Sequence, residues 1–267
     1  MNRFLQKILP ARSTPLLALL TDFGSSDHYA GTMKAVISSV NPAAHVIDIS
    51  HSVTPQGISE AAYLLWASYR FFPEETIFVI VVDPGVGSDR DILLLRMASR
   101  WFLLPDNGVA DFVLGDHPVD QTLRVRQRES RYVLSKVSST FHARDIFAPV
   151  ASYLALGVSP RELGDPCPAP SRKNFFCMKP GKTASVLHVD HFGNIITDVR
   201  GEDAQPATVS LKGRKLGRWI KSYAEAPDRV PCLICGSSGL IEIITKNGNA
   251  ARMLKVKSGA PLRVSWT

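Results

Sequence analysis

The apolar residues in the first third of the chain fall into two patterns. Continuous apolar, β-branched runs predict three buried strands, at residues 15–20, 45–49 and 76–82. Between these runs, two stretches carry apolar residues at helical spacing, one ending at Asn41-Pro42 and the other spanning residues 58–69. The order strand, helix, strand, helix, strand predicts a parallel sheet covered by helices.

The pattern changes after Arg90. Two short strands that form a hairpin are predicted at residues 92–96 and 101–104, and a helix is predicted at residues 144–156. Residues 160–180 are rich in proline, which is typical of a linker. Turn residues then separate short β-like segments, at residues 185–190, 194–199, 207–211, 231–236, 239–245 and 261–266. Such segments predict a small antiparallel barrel or sandwich.

The sequence therefore predicts an α/β protein of two domains. An N-terminal extension, residues 1–14, precedes a domain at residues 15–165 built on a helix-covered, mainly parallel sheet. A linker at residues 166–183 leads to a smaller antiparallel β-barrel domain at residues 184–267. With 267 residues and 45% hydrophobic content, the chain is long and apolar enough to bury the cores of two unequal domains.

The positive charge of the chain is concentrated in its C-terminal part. Residues 181–267 contain 13 Lys and Arg against 7 Asp and Glu, which accounts for +6 of the formal net charge of +7. An excess of this kind can serve nucleic-acid binding. Here the basic residues are scattered and lack interleaved aromatic residues, which favours a solvated basic surface and makes a nucleic-acid partner an unfavoured interpretation.

The four cysteines, at positions 167, 177, 232 and 235, are interpreted as buried, reduced thiols. Cys232 and Cys235 have zinc-knuckle spacing, but they lie in a predicted strand, where side chains three positions apart point to opposite faces. Residues 1–13 do not resemble a secretory signal, and no apolar run approaches transmembrane length. Together these features predict a cytoplasmic protein with no membrane partner.

Acidic and histidine side chains at strand and helix ends are the candidates for chemistry. Asp22 and Asp83 each follow an apolar strand, so both should project from one edge of the sheet, where open α/β sheets bind ligands. In residues 83–90 (DPGVGSDR), glycines let backbone N–H groups approach a ligand, and Arg90 adds a guanidinium. His142 directly precedes a helix, whose dipole favours a neutral imidazole that can orient or deprotonate water. Capping or turn roles would also explain these residues.

Three loops of the second domain carry groups suited to a polar ligand. Residues 190–194 (DHFGN) place an acid, an aromatic ring and an amide between two strands. Residues 237–239 (SSG) and 247–251 (NGNAA) offer small side chains and free backbone N–H groups. Plain glycine-containing turns would explain the same residues. The sequence has no Walker, GxGxxG, HExxH or GxSxG motif, so P-loop, dehydrogenase, metalloprotease and hydrolase-elbow functions are not supported.

Seven motifs follow one another in a specific order from about residue 16 to the C-terminus. They are TDFG at 21–24, HSxTP at 51–55, DPGVGxxR at 83–90, PDNG at 105–108, HxRDxFAP at 142–149, DxFGN at 190–194 and SSGxxEI at 237–243. With this ordered set, the sequence resembles the S-adenosylmethionine hydroxide adenosyltransferase family, the hydrolase relatives of fluorinase and chlorinase.

The resemblance implies that water or hydroxide attacks the ribose C5′ of S-adenosylmethionine, giving adenosine and L-methionine. The family's water-activating Asp, Arg and His fall on Asp83, Arg90 and His142, and these positions differ in the halogenases, which favours hydrolysis over halide transfer. The resemblance implies no metal and no cofactor besides the substrate itself. It also implies a homotrimer whose site lies between the N-terminal domain of one subunit and the C-terminal domain of its neighbour.

The resemblance also implies ligand-binding residues. Asp22 would bind the ribose hydroxyls and Ser237 the methionine carboxylate. The remaining positions are Asp190 and Asn194 for methionine and polar contacts, Phe192 for packing against the ligand, and the backbone near Ala250 for adenine. The sequence departs from its relatives at four positions that concern ligand contacts rather than the reaction type: Gln56, Ala143, Asp198 and Ser238.

Two other functions stay open on the residues alone. A metal-dependent phosphoesterase could use a set of acidic and histidine ligands, namely Asp22, His51, Asp83 and Asp106. A non-catalytic module that binds an adenosine nucleoside or RNA could use the basic second domain.

Overall fold

The structure is a computed structural model that describes residues 15–128, 130–171, 183–201 and 207–266. Its contacts divide the chain into two compact units, at residues 1–172 and 173–267. The predicted linker lies largely outside the described residues, so the predicted domain boundaries stay predictions.

The first unit is built on a seven-stranded mixed sheet. Its strands are β1 (Leu16–Thr21), β2 (His45–Ser50), β3 (Ile77–Val81), β4 (Ile92–Met97), β5 (Arg100–Pro105), β6 (Gln121–Val125) and β7 (Gly164–Pro166). They are ordered β2-β1-β3-β5-β4-β6-β7. The first four in this order pair in parallel, and β4, β6 and β7 add to them antiparallel. The helix-covered sheet and the hairpin of β4 with β5 are confirmed, whereas the short, polar strands β6 and β7 were not predicted.

Helices cover this sheet and enclose its apolar core. They are α1 (Tyr29–Val40), α2 (Ile58–Ser68), α3 (Asp111–Asp116), a π-helix (Ala143–Phe147), α4 (Ala148–Ala155) and α5 (Pro160–Leu163). Side chains of α1, the π-helix and α4 pack with those of β1, β3 and β4 in one buried cluster. The helix that was predicted at residues 144–156 thus consists of the π-helix followed by α4. A short π-helical segment of this kind often marks a functional site.

The second unit is an antiparallel sheet of seven short strands. They are β8 (Thr183–Val189), β9 (Ile195–Arg200), β10 (Ala207–Leu211), β11 (Arg214–Leu216), β12 (Pro231–Cys235), β13 (Leu240–Thr245) and β14 (Pro261–Trp266). Their order is β11-β10-β14-β8-β9-β13-β12, with the short helix α6 (Ala250–Leu254) after β13. A bridge from Trp219, just beyond β11, to Leu233 in β12 brings the two edges together. This nearly closed sheet confirms the predicted barrel. Of its seven described strands, only β11 was not predicted.

The described cysteines and helices test two smaller predictions. Among the described cysteines, Cys167, Cys232 and Cys235 form no disulfide, but only Cys232 is fully buried, so the prediction of uniformly buried cysteines was wrong for the other two. Cys177 lies outside the described residues. Within the described part of the chain, no helix is both long and apolar enough to cross a bilayer.

Asp198 gives a stability prediction for the second unit. Its side chain, 4% exposed, accepts hydrogen bonds from the backbone N–H and the hydroxyl of Ser185, both at 2.9 Å. Burial raises the pKa of the Asp198 carboxyl above its ordinary value of 3.8. The folded state therefore binds this proton more tightly than the unfolded state, so protonation of Asp198 stabilises the fold. This stabilisation is lost as the pH rises through the raised pKa.

We therefore expect Asp198→Asn to raise the free energy of unfolding at pH 7 by about 1 kcal/mol, since the amide can keep both partners without carrying a buried charge. Urea unfolding between pH 4 and 8 measures this change. The variant should also lose part of the pH dependence seen in the parent protein. An asparagine variant that is less stable than the parent at pH 7 would contradict the argument.

Candidate active site

The loop after β3 holds an acid and a guanidinium together. Arg90 Nη1 forms an ion pair with Asp83 Oδ1, and the backbone N–H of Gly85 donates to the same oxygen at 3.0 Å. The Asp83 side chain is 7% exposed, whereas the Arg90 side chain is 29% exposed. Gly85 leaves room for this pair, because a Cβ there would overlap the guanidinium of Arg90. The loop thus presents a buried carboxylate beside a cation that solvent can reach.

The same loop packs against the segment that leads to His142. Gly87 has φ of +83°, and a Cβ on it would overlap the carbonyl oxygen of Ser139. His142 directly precedes the π-helix. Burial lowers the pKa of His142 below its ordinary value of 6.5, although the negative charges of Asp83 and Asp145 partly oppose this. The imidazole is therefore neutral at pH 7 and lies within the electrostatic reach of Asp83.

A cavity borders this junction. Its volume is about 530 Å³, and its wall includes Gly87, Arg128, Ser139 and His142. The positive charge of Arg128 also lowers the pKa of His142. A space of this size can hold several water molecules or a small ligand, so His142 has a route for exchanging protons with solvent.

Asp22, at the end of β1, lies in a loop tied to its neighbours. Its Oδ2 accepts a hydrogen bond of 2.8 Å from the backbone N–H of Gln56, which adopts φ of +66°. The backbone N–H of Gly24 donates to the His51 carbonyl at 2.7 Å. The remaining carboxylate oxygen of Asp22, in a half-buried position, can accept hydrogen bonds from a ligand.

An aromatic cluster connects the Asp22 loop with the His142 segment. The ring of Phe23 lies 6.0 Å from that of Phe141 in an edge-to-face arrangement, and the ring of Tyr29 lies 5.1 Å from Phe141. Phe23 and Phe141 are the immediate neighbours of Asp22 and His142 in sequence. The first unit therefore brings four predicted site residues, Asp22, Asp83, Arg90 and His142, to one region near the ends of β1 and β3.

In the second unit, the loop between β8 and β9 is organised by Asp190. Its Oδ1 accepts from the backbone N–H of Asn194, and its Oδ2 accepts from Asn194 Nδ2, both at 2.8 Å. Gly193, at φ of +87°, leaves room for Asn249, which caps α6 by accepting from the Arg252 N–H at 2.7 Å. The Gly193 carbonyl also accepts from the Ala251 N–H at 3.0 Å. The predicted residues Asp190, Asn194 and Ala250 therefore lie close together.

The other two predicted residues of this unit are exposed. Phe192 has 74% of its surface accessible, and Ser237 lies in the turn between β12 and β13. Beside it, the hydroxyl of Ser238 is buried without a hydrogen-bond partner among the described residues. An exposed ring is a feature of a surface that a ligand can cover, and a hydroxyl without a partner can bind a polar group of a ligand.

Two polar residues near the loop at residues 190–194 were not predicted as site residues. Glu242 lies in β13 and Tyr223 in a short 3₁₀ helix. The Tyr223 hydroxyl partly offsets the raised pKa of the neighbouring Glu242 carboxyl, and it accepts a hydrogen bond from Asn194 Nδ2 at 3.1 Å. The sequence signal for Glu242 is an acid within the apolar strand sequence LIEIIT. Tyr223 has no such signal, because it belongs to an irregular segment.

The four residues that the phosphoesterase hypothesis assigned as metal ligands do not form a common site. The Nδ1 atom of His51 lies 2.8 Å from the Thr21 hydroxyl, Asp83 pairs with Arg90, and Asp106 is exposed. No group of three or more His, Cys, Asp or Glu side chains placed to hold a metal occurs in the described part of the chain.

Comparisons with family models and with known proteins point to the same family. Residues 17–164 match the N-terminal domain of the SAM hydroxide adenosyltransferases, and residues 184–263 match the C-terminal domain. The chain is 34% identical over 252 residues to the (R)-S-adenosyl-L-methionine hydrolase of Thermus thermophilus, covering 92% of this chain and 97% of that protein. It is 32% identical to the enzyme of that name from Methanocaldococcus jannaschii, covering 90% and 92%. A fluorinase from Actinoplanes is more distant, with 24% identity, covering 76% of this chain and 78% of that protein.

Solved structures agree with this result. A conserved protein from Thermotoga maritima superposes with a TM-score of 0.82 at 31% identity, covering 93% of this chain and all of that one. A protein from Thermus thermophilus superposes with a TM-score of 0.77 at 30% identity, covering 94% and 99%. Sequence and fold agree over both domains, and the chain belongs to the S-adenosylmethionine hydroxide adenosyltransferase family.

Proposed function

We propose that this protein hydrolyses S-adenosylmethionine to adenosine and L-methionine. We also propose that its substrate is the (R) epimer, which appears in the names of its relatives. The observation that carries the proposal is the junction of the loop at residues 83–90 with the segment before the π-helix. It combines the ion pair of Asp83 and Arg90 with a neutral imidazole at His142, in a chain that belongs to this family.

The reaction suits such a set of groups. An oxygen lone pair of water forms a bond to C5′ of the ribose, and the C5′–S bond breaks with its electron pair remaining on sulfur. The sulfonium becomes the neutral thioether of methionine, so its departure needs no general acid. The water must lose a proton, and its oxygen must approach opposite the C–S bond. Positioning and proton acceptance are therefore the tasks left to the protein.

The three polar residues of the junction divide these tasks. His142 accepts the proton, because a neutral imidazole has a free nitrogen lone pair at neutral pH. Asp83 orients the water and stabilises the imidazolium that forms. Arg90 fixes the carboxylate of Asp83 and stabilises the partial negative charge on the attacking oxygen.

The remaining site residues are proposed as binding groups. Asp22 holds the ribose hydroxyls with its free carboxylate oxygen, and Phe192 packs its exposed ring against the ligand. Asp190 and Asn194 bind polar groups of the substrate, including those of its methionine part. Ser237 binds the methionine carboxylate, and the backbone near Ala250 binds adenine. These assignments follow the family, and the clustering of Asp190, Asn194 and Ala250 supports them.

We also propose a homotrimer in the cytoplasm, with each site formed between the N-terminal domain of one subunit and the C-terminal domain of its neighbour. The reaction needs only water and the substrate, so the proposal includes no metal or other cofactor. Sedimentation analysis of the purified protein tests the trimer, and a stable monomer that retains full activity would contradict it.

The proposed activity is tested by incubating the purified protein with S-adenosylmethionine prepared as a mixture of sulfonium epimers. Chromatography should show adenosine and methionine in equal amounts, with loss of the (R) epimer only. Chelator treatment should leave the rate unchanged. Absence of both products at high enzyme concentration would overturn the proposal, and activity abolished by the chelator would favour a metal-dependent reaction.

The pH dependence of the reaction should report on His142. We expect kcat/KM to be constant near neutral pH and to fall only below pH 6.5, because burial lowers the pKa of the imidazole and only the neutral form accepts a proton. Replacing Asp83 by Asn removes a negative charge that raises this pKa, so the fall should shift to lower pH. Replacing Arg128 by Gln removes a positive charge that lowers it, so the fall should shift to higher pH. Shifts in one common direction would contradict this assignment.

A further inference from the structure

Glu242 is a buried acid in an otherwise apolar strand. Its flanking residues in β13, Ile241 and Ile243, are fully buried, and Glu242 itself is only 9% exposed. Burial, together with the negative charge of Asp190, raises the pKa of the Glu242 carboxyl. An apolar residue at this place would avoid the cost of removing a carboxyl group from water, so the acid calls for a role that offsets this cost.

The carboxyl of Glu242 begins a chain of polar contacts that ends at the predicted ligand loop. The Tyr223 hydroxyl lies beside the Glu242 carboxyl, close enough for each group to shift the pKa of the other. The same hydroxyl accepts from Asn194 Nδ2 at 3.1 Å, and Nδ2 also donates to Asp190 Oδ2 at 2.8 Å. Burial raises the pKa of Tyr223 as well, so its hydroxyl keeps a proton that it can donate to Glu242.

This chain determines which way the Asn194 amide faces. A carboxylate oxygen only accepts hydrogen bonds, so the group of Asn194 that faces Asp190 must be the amide nitrogen. That nitrogen has two hydrogens, and Asp190 and Tyr223 take one each. The carbonyl oxygen, Oδ1, is consequently the atom that Asn194 can offer to a ligand. A ligand group that meets it must carry an N–H or O–H donor.

We propose that Tyr223 and Glu242 are positioning residues, which lock the Asn194 amide so that its Oδ1 accepts a hydrogen bond from an amino, ammonium or hydroxyl group of the substrate. The inference rests on the proposed hydrolysis of S-adenosylmethionine, a substrate that carries all three kinds of donor. Neither residue touches the reacting atoms. Their effect is on substrate binding and should appear in KM rather than in kcat.

Gly236 provides the place in which the Glu242 carboxyl lies. A Cβ on Gly236 would overlap Oε1 of Glu242, while the backbone of Gly236 does not have a positive φ. Alanine at this position therefore displaces the end of a flexible side chain without straining the turn. It moves the carboxyl while leaving the glutamate in the sequence. Gly217 is the matched control, since a Cβ there meets only the Thr208 hydroxyl, at an ordinary 3.6 Å.

The kinetic test compares five variants with the parent protein. Glu242→Leu and Tyr223→Phe should each raise KM for S-adenosylmethionine about five- to twentyfold, as expected for losing an oriented hydrogen bond, with kcat within about twofold. Glu242→Gln, whose Oε1 still accepts from the tyrosine, should stay within about twofold of the parent KM. Gly236→Ala should raise KM in the same way, and Gly217→Ala should not.

A second measurement needs no substrate. In crystals of ligand-free Tyr223→Phe, the Asn194 side chain should be less ordered than in the parent protein, because its Nδ2 loses one of its two acceptors. An unchanged Asn194 in these crystals, or unchanged KM in the leucine and phenylalanine variants of an active parent, would overturn the positioning role. A parent protein that hydrolyses no substrate would instead overturn the proposed function, and the crystals would still decide the role of Tyr223.

Discussion

Replacing either Asp83 or His142 by alanine should lower kcat for S-adenosylmethionine hydrolysis by about 10²- to 10⁴-fold, the range for losing a general base or the group that orients it. The dissociation constant for the substrate should change much less, by at most about fivefold. The reason is that both groups act on the water, which gains charge only as the reaction proceeds. Stopped assays give kcat, and calorimetry on the slow variants gives the dissociation constant.

Two surface variants serve as matched controls. His45, on the edge strand β2, and Asp120, just before β6, are both exposed, so their replacement by alanine should leave kcat unchanged. If Asp83→Ala and His142→Ala weakened binding as much as they lowered kcat, these residues would be binding groups. Combining the two substitutions should cost less than the sum of the separate effects, because they serve one proton transfer.

The sequence was sufficient to predict the position of the strand-end acids. The apolar runs before Asp22 and Asp83 fix two neighbouring parallel strands, β1 and β3, and the carboxyl ends of such strands share an edge. The same logic predicted the short strands of the second unit, because turn residues mark their ends. It missed β6, β7 and β11, which are short and have no continuous apolar run.

The association of the loop at residues 83–90 with His142 could not be read from local patterns. It depends on the contact between Gly87 and the Ser139 carbonyl, two residues that are far apart in sequence. The family resemblance suggested the trio, and the geometry adds the reason that a glycine stands at position 87. Tyr223 was missed for a similar reason, because its role depends on which side chains meet it rather than on its own segment.

Glycines recur in the structure as places where a neighbouring polar group is held. Gly85 leaves room for the Arg90 guanidinium, Gly193 for the Asn249 amide, and Gly236 for the Glu242 carboxyl. In each case the missing side chain lets a hydrogen-bonding group lie against the backbone. At Gly85 and Gly236, where φ is not positive, a single methyl group can displace this polar group without removing it.

Gly85→Ala should therefore reduce kcat by about 10- to 100-fold while the protein stays folded. The new methyl group would overlap the guanidinium of Arg90, and the backbone at Gly85 does not have a positive φ, so the flexible arginine must move rather than the loop. Asp83 then loses its fixed partner, and the attacking oxygen loses a nearby cation, a change worth a few kcal/mol in comparable sites. Steady-state kinetics measure the rate, and thermal unfolding checks the fold.

Gly31→Ala is the matched control, because Gly31 lies within α1 and a Cβ there meets no atom within 4 Å. It should keep full activity and gain roughly 0.5–1 kcal/mol of stability from the better helix former. Arg90→Ala alone should lower kcat at least as much as Gly85→Ala does. Adding Gly85→Ala to Arg90→Ala should then have little further effect, since the methyl group acts only by displacing the guanidinium. Fully additive losses in this cycle would show that Gly85 acts on something other than Arg90.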